Sequence, residues 1–404
     1  MKKVITILLI MLVACGFVFA DGTTYKDEFL ADYNSTPNAY SAMGNKFIPT
    51  SPVMLGMGNS GLALSNNSLG IFVNPASLGE GKFKLSIPSV GFTLYHAYDM
   101  LVKDENGKNF IDKVTGENLD TSELITSVLD LVGSQFTQIA EVDSNFALTL
   151  PFGLGFGVYV NDGVYTYSGS VIDRANVSIA LGFGHKLSFG DIDLSLGASA
   201  KVNGLAFNKR IKAADLTSGN MNEIEYSLAC GYAFPFDIGA TVKWKGLSGS
   251  LVVSNLNGDY KMDIASGKGF NSVPETKDLK YDVFTVTSRP NVSAGFGYEM
   301  DGNISLRAAL DFVDLLDLGD SFKDQSVNNF RAILMHMNTG VEVGVFDTLM
   351  LRAGLQSGYV SFGASLDLYA FRLDCAYFWK EMGKAAGQKG LNGLSIRFNL
   401  GYDR

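Results

Sequence analysis

The stretch FALTLPFGLGFGVYV, residues 146–160, decides the fold class, because every second side chain in it is large and apolar. The even positions carry Phe, Leu or Val, whereas most odd positions carry Ala, Thr or Gly. A period of two residues is typical of a β-strand with one apolar face. The alternation recurs at 192–202, 369–379 and 394–402, so the chain is predicted to be all-β.

Three features of these strands favour a membrane barrel over a soluble β-sandwich. Aromatic residues gather toward the strand ends of the apolar face, the opposite face mixes Gly and Ser with charges, and short turns alternate with long polar loops. Strands span a bilayer only as a closed barrel, and unequal loops are typical of the outer-membrane type. We therefore predict a transmembrane antiparallel β-barrel over residues 83–404 in the bacterial outer membrane, with a secreted soluble β-protein as the alternative. The long loops are expected at 99–143, 208–222, 258–280, 315–328 and 380–389.

The N-terminus indicates export. Lys2 and Lys3 precede an apolar run over residues 4–13, and small residues around Ala20 suit cleavage. This pattern is typical of a secretory signal peptide, here residues 1–20. The segment Leu-Val-Ala-Cys that ends at Cys15 also has the form of a lipobox, so lipidation of that cysteine is a second possibility.

Composition narrows the function classes. The chain of 404 residues is 47% hydrophobic and only 18% charged, and its net charge is −9. This acidic balance argues against a nucleic-acid partner, which requires a basic surface. Cys230 and Cys375 both fall on apolar strand faces, where they are expected to act as small hydrophobic residues.

Gly56, Gly58 and Gly61 have the spacing of a dinucleotide-binding fingerprint. Such a site needs a buried strand before the glycines and a long helix after them. Here prolines precede the glycines, and the turn-forming cluster at 65–70 would end any helix. The glycines instead indicate a segment that folds back tightly inside a confined lumen.

The run that follows, IFVNPASLG at 71–79, leads directly into the first alternating strand. It resembles the plug and the Asn-Pro-Ala motif of the FadL/TodX-type outer-membrane transporters of hydrophobic compounds, and especially the FadL-like outer-membrane proteins of treponemes. The stretch 340–378 is similar to the closing hairpins of that family. The chain departs from the family at its end, where Asp403 and Arg404 follow the last aromatic residue.

This resemblance implies a barrel of about fourteen strands closed by an N-terminal plug at residues 21–82. It also implies inward diffusion of long-chain fatty acids or other hydrophobic ligands, with outer-membrane lipid and the barrel-assembly machinery as further partners. Asn74 is expected to bond plug backbone and Pro75 to fix the chain direction, although a rigid turn before the first strand would need the same residues. The plug motif comprises Gly58, Gly61, Asn74, Pro75 and Ala76.

Five cations fall on the face that should point into the lumen. They are either contacts for the carboxylate of a ligand or members of structural charge networks, and Arg372 has Asp374 beside it on the same face. The candidates are Lys201, Arg307, Arg352, Arg372 and Arg397.

The histidines do not suggest catalysis. His96, His185 and His336 are scattered, and none has the spacing of a metal site or belongs to a recognised nucleophile motif. We therefore expect no enzyme activity, no metal and no cofactor. The predicted function is an uptake channel in which ligand is captured in the barrel and diffuses past a gating plug. A FadL-like barrel that serves as a shuttle, or binds secreted proteins or host ligands at its surface, is the alternative.

Overall fold

The computed structural model describes residues 23–45, 49–64, 69–102, 127–128, 131–212, 215, 225–268, 279–323, 328–346, 348–368, 371–383 and 385–402. The predicted signal peptide lies outside these ranges. Within them, no helix has both the length and the apolar content needed to cross a membrane. The described helices are α1 (Thr23–Ser35), α2 (Pro52–Gly56), α3 (Gly70–Val73), α4 (Leu315–Ser321) and α5 (Asn329–His336), and a 3-10 helix spans Pro75–Glu80.

Strands make up most of the remaining described chain. The first nine are β1 (Lys84–Tyr95), β2 (Thr137–Thr149), β3 (Leu154–Tyr167), β4 (Ser170–Phe189), β5 (Ile192–Asn208), β6 (Ile211–Lys212), β7 (Glu225–Ala233), β8 (Phe236–Trp244) and β9 (Leu247–Leu256). The others are β10 (Tyr260–Lys268), β11 (Phe284–Val286), β12 (Asn291–Met300), β13 (Ile304–Phe312), β14 (Met337–Val345), β15 (Leu349–Gln356), β16 (Tyr359–Asp367), β17 (Phe371–Glu381) and β18 (Gly390–Tyr402).

The strands form one antiparallel sheet that closes on itself where β1 pairs with β18, with Phe92 opposite Ile396. Three positions of the wall are each occupied by two strands in succession, namely β7 with β8, β9 with β10 and β11 with β12. The two-residue β6 only adds a short pairing beside β4. The wall therefore has fourteen strand positions, which confirms the predicted antiparallel barrel.

The apolar face predicted from the two-residue period is the outside of the barrel. Phe156, Leu196 and Phe398 are solvent-exposed, whereas Ser195 and Arg397 on the other face are buried. A closed hydrogen-bond ladder with an apolar exterior is the arrangement that a bilayer requires. The chain is thus an outer-membrane β-barrel.

Connections of unequal length distinguish the two ends of the barrel. Short turns such as 190–191 and 245–246 lie at the end of the barrel where the chain enters β1. The connections that follow β1, β5, β10 and β13 lie at the opposite end, which we call the long-loop end. Two expected loops are shorter than predicted, because β2 already begins at Thr137 and β10 occupies Tyr260–Lys268. The alternation of apolar and polar residues in β10 covers few residues, and its polar side chains include Lys261 and Asp263. The sequence therefore predicts a loop where the structure has this strand.

Three neighbouring positions of the wall each contain a break. In each of them the break separates the two strands that follow one another along that position. Pro235, which has no N–H to donate, separates β7 from β8. Asn255, at the end of β9, connects its own break to the break between β11 and β12. Its Nδ2 donates to the carbonyl oxygens of Ser288 and Arg289 in that second break, both at 3.0 Å, and its backbone N–H donates to Asp237 at 2.8 Å. Side chains thus replace ladder hydrogen bonds that a bilayer would not supply.

The substitution Asn255→Ala should destabilise the barrel, because it takes the Asn255 donor away from the buried carbonyl oxygen of Ser288 and the partly buried one of Arg289. We expect the free energy of unfolding to fall by about 1–3 kcal/mol, measured by urea unfolding in vesicles. Asn257→Ala is the matched control, since Asn257 shares the left-handed backbone conformation but makes an exposed bond to Phe234. Equal losses in the two variants would contradict the sealing role of Asn255.

Candidate functional site

The lumen holds the N-terminal part of the chain in two pieces, which we call the α1 segment (residues 23–45) and the plug core (residues 49–82). The α1 segment lies near the long-loop end against β7, β10 and β11, whereas the plug core contacts most of the remaining wall. Residues 46–48 between the two pieces lie outside the described ranges. The motif residues of the sequence analysis all fall in the plug core.

The two motif glycines take backbone conformations that other residues rarely adopt. Gly58 has φ +64° and lies directly on the backbone of Leu355, and its N–H donates to Ser361 Oγ at 2.9 Å. Gly61 has φ +126°, and its N–H donates to Asp311 Oδ2 at 2.7 Å. The two glycines therefore allow the plug core to contact β13, β15 and β16, Gly58 by avoiding a clash and Gly61 by its backbone conformation.

Asn74 joins two parts of the plug core to two wall strands, since its Nδ2 also donates to Ser250 Oγ of β9 at 3.3 Å. Its Nδ2 donates to the carbonyl oxygen of Leu62 at 2.9 Å and to Thr241 Oγ1 at 3.1 Å. Its Oδ1 accepts the N–H of Ala76 at 3.1 Å, and Pro75 begins the 3-10 helix at that point. The geometry accommodates both expectations, since the motif bonds plug backbone and also forms a rigid turn.

Apolar side chains add to these polar contacts. The plug core contributes Ile71, Phe72 and Leu78 to a buried cluster with Tyr159 of β3. A second cluster places Leu55 against Phe378 and other residues of the wall. The plug core is therefore packed against the barrel as a domain core would be.

Asp311 is a buried carboxylate that holds the plug core, and it has no cation partner among the residues that the structure describes. It accepts hydrogen bonds from the backbone N–H groups of Gly61 and Leu62 at 2.7 and 2.9 Å. Asp311 is not recognisable as a site residue from the sequence alone, because an aspartate on a polar strand face has many possible roles.

Each of the five lumen cations has a carboxylate partner in the wall. Two of them also bond plug carbonyl groups, Lys201 to Phe72 at 3.2 Å and Arg397 to Thr50 at 2.8 Å. Each of these charges is thus paired within the protein, Arg307 with Glu299 as well as with Glu342, and a role in ligand binding stays a prediction. The pairs are Lys201 with Asp237, Arg307 and Arg352 with Glu342, Arg372 with Asp374, and Arg397 with Asp143.

One part of the inner wall is apolar, although the sequence analysis predicted a polar lumen. At the long-loop end, inward-facing side chains of β3, β4, β5, β10 and β11 form a buried cluster with the α1 segment. We call these wall residues the apolar inner wall. They interrupt the polar pattern at only one to three positions per strand, so the alternation does not reveal them. The apolar inner wall comprises Tyr165, Ile172, Leu205, Phe207, Tyr260, Met262, Ile264 and Val286.

The histidines occupy three separate places. His96 contacts Asp99 at 3.1 Å and the buried hydroxyl of Thr137 at 2.9 Å. His185 lies exposed on the outer face, and His336 bonds a backbone carbonyl at the end of α5. In the described part of the chain, no three His, Cys, Asp or Glu side chains are grouped as metal ligands would be.

The contact between Gly58 and the wall can be tested with one methyl group. Gly58→Ala should loosen the plug core and accelerate amide hydrogen exchange across residues 54–64, because the new Cβ would overlap the backbone of Leu355. Gly169→Ala is the control, since Gly169 has a similar positive φ but open space around it. If both variants exchange at the wild-type rate in residues 54–64, Gly58 does not position the plug core.

Comparison with known proteins adds similarities of fold. No protein-family model and no curated protein matches the chain. Among solved structures, the Ralstonia pickettii toluene transporter TbuX is 12% identical over 89% of this chain and 99% of its own, with a TM-score of 0.45. The Pseudomonas putida toluene transporter TodX is 10% identical over 90% and 100% (TM-score 0.43), and a Pseudomonas aeruginosa FadL homologue is 14% identical over 89% and 99% (TM-score 0.43). These TM-scores are below 0.5, so the barrel assignment rests on the strand pairing of the chain itself.

Proposed function

We propose that this barrel takes up hydrophobic small molecules across the outer membrane, long-chain fatty acids among them, by capture in the lumen and diffusion past a gating plug. The observation that carries this proposal is the apolar inner wall, because the lumen of a water-filled channel is polar. The toluene transporters and the FadL homologue named above share the general barrel form, but their substrates are not the basis of the proposal.

The apolar inner wall provides the free energy of capture. A hydrocarbon chain that moves from water onto such a wall gains about 0.8 kcal/mol for each buried CH₂ group. Ile172, Met262 and Ile264 are at most 1% exposed, because they pack in one cluster with the α1 segment, so a ligand reaches them only when that segment moves. A ligand would therefore bind at this wall rather than along the charged remainder of the lumen.

The plug core provides the gate. It lies across the lumen, and hydrogen bonds such as those between Asp311 and the N–H groups of Gly61 and Leu62 hold it in place. Bonds of this kind are individually weak, with a net worth of about 1.5–3 kcal/mol when one partner is charged. A small number of them can therefore break and re-form when a ligand passes.

Capture at the apolar inner wall can be tested with two substitutions on one strand. The refolded, lipid-stripped protein in detergent is titrated with a fluorescent long-chain fatty acid and with its alcohol analogue. Ile172→Thr should weaken the binding of both ligands about fourfold, which corresponds to one lost CH₂ contact. Ile179→Thr is the matched control on the outer face of β4, and it should bind like the wild type.

An absence of saturable binding by a barrel that circular dichroism shows to be folded would contradict the proposal. The shuttle or surface-binding function would then be the better explanation of the fold.

Gating has a separate test in planar bilayers. Deletion of residues 21–80 should open the lumen and raise the single-channel conductance, because the plug core and the α1 segment both leave. Asp311→Asn should produce brief openings, since a neutral acceptor holds the two N–H groups less strongly. Unchanged conductance after the deletion would rule out a plug gate.

A further inference from the structure

Helix α1 covers the apolar inner wall with aromatic side chains. Phe29 is fully buried, and its ring centroid lies 5.8 Å from that of Phe207. Tyr33 lies 5.2 Å from Phe284 at the edge of the same cluster. The surface that would receive an apolar ligand is therefore occupied by the protein's own N-terminal segment.

The same helix places a carboxylate beside this apolar cluster. Arg210, in the connection after β5, donates from Nε to Asp32 Oδ2 at 3.0 Å and from Nη2 to Asp32 Oδ1. The hydroxyl of Tyr40 also donates to Asp32, at 2.6 Å. Burial by itself would raise the pKa of Asp32, but the hydrogen bonds from Arg210 and Tyr40 outweigh it and hold that pKa below its ordinary value. Asp32 is thus ionised at neutral pH.

The attachment of the α1 segment differs from that of the wall strands. All the described backbone–backbone hydrogen bonds of residues 23–45 stay within the segment itself. The other ion pairs to the barrel, Lys26 with Asp263 at 2.7 Å and Glu28 with Lys209 at 3.1 Å, also involve side chains. The segment can therefore leave without breaking the hydrogen-bond ladder of the barrel.

Arg210 also differs from the five cations discussed above. Their carboxylate partners are wall residues, which cannot leave without unfolding the barrel. The partner of Arg210 belongs to the separable α1 segment. Displacement of that segment would leave a guanidinium fork, which suits a carboxylate, next to an uncovered apolar surface.

We propose that Arg210 and the apolar inner wall form a binding site for an amphipathic carboxylate, and that helix α1 occupies this site until the ligand displaces it. Asp32 takes the place of the ligand's carboxylate, and Phe29 takes the place of its hydrocarbon chain. This inference rests on the proposed uptake of hydrophobic compounds and specifies their class. It makes Arg210 the residue that distinguishes an acid from the matched alcohol.

The test measures the binding of the fluorescent fatty acid and of its alcohol analogue to the full-length protein. Asp32→Asn should tighten fatty-acid binding about tenfold, because the internal competitor loses its charge. Arg210→Gln should weaken fatty-acid binding without weakening alcohol binding. Lys209→Gln is the matched control, since this neighbouring cation pairs with Glu28 and acts on the Asp32 position only through its charge, so it should change the acid-to-alcohol ratio much less than Arg210→Gln does.

An exchange of the charges at positions 32 and 210 distinguishes two roles of Arg210, namely recognition of the ligand carboxylate and a purely structural ion pair with Asp32. The double variant Asp32→Arg with Arg210→Asp keeps an ion pair between α1 and the wall but removes the cation from the wall. It should fold like the wild type and lose the preference for the acid. Retention of that preference would overturn the role of Arg210.

Displacement of the helix has its own readout. Trypsin should cleave after Lys26 faster when fatty acid is bound, because α1 has left the wall, and Asp32→Asn should be cleaved quickly even without ligand. One outcome overturns only the proposed role of α1 and Arg210. In that outcome both probes bind and Ile172→Thr weakens their binding, but neither the cleavage rates nor the acid-to-alcohol ratios change. If neither probe binds to folded wild type or to Asp32→Asn, the proposed function fails as well.

Discussion

Closure of the backbone hydrogen-bond ladder between β1 and β18 is the constraint on which the rest of the molecule depends. A bilayer offers no partner for a free N–H or C=O group, so the sheet must return to its first strand. The same requirement explains Asn255, whose side chain bonds the carbonyl groups of Ser288 and Arg289 where the wall is interrupted. It also fixes the inner and outer faces, because closure commits every second side chain to the lumen.

A closed wall of fourteen positions encloses an interior that side chains from the strands do not fill alone. The chain fills it with two pieces that are held differently. The plug core is bound by Asn74, by Asp311 and by backbone contacts such as that of Gly58 with Leu355. The α1 segment is bound to the barrel through side chains, including the pair of Asp32 with Arg210.

Charge and apolar surface are also separated within the lumen. Most inward cations are paired with wall carboxylates, as Arg352 is with Glu342, and a buried pair of this kind is costly to break. The apolar inner wall lies apart from these pairs, near the long-loop end and under α1. This separation gives a hydrophobic ligand one favourable surface, and beside it the guanidinium fork of Arg210 has a partner, Asp32, that a ligand carboxylate can replace.

The sequence by itself determined the all-β class and the two faces of the strands, because the two-residue period records directly which side chains share a face. The pairing of β1 with β18 in the structure closes these strands into a barrel. The resemblance of the sequence to the FadL/TodX-type transporters also implied a plug motif, since glycines and an Asn-Pro pair are signals that can be recognised locally; the motif comprises Gly58, Gly61, Asn74, Pro75 and Ala76. The partners of these residues were decided only by the tertiary structure. Asp32 and Arg210 are separated by 178 positions in the chain, and Gly61 and Asp311 by 250. Contacts over such distances depend on strand register and barrel closure, which no local pattern specifies.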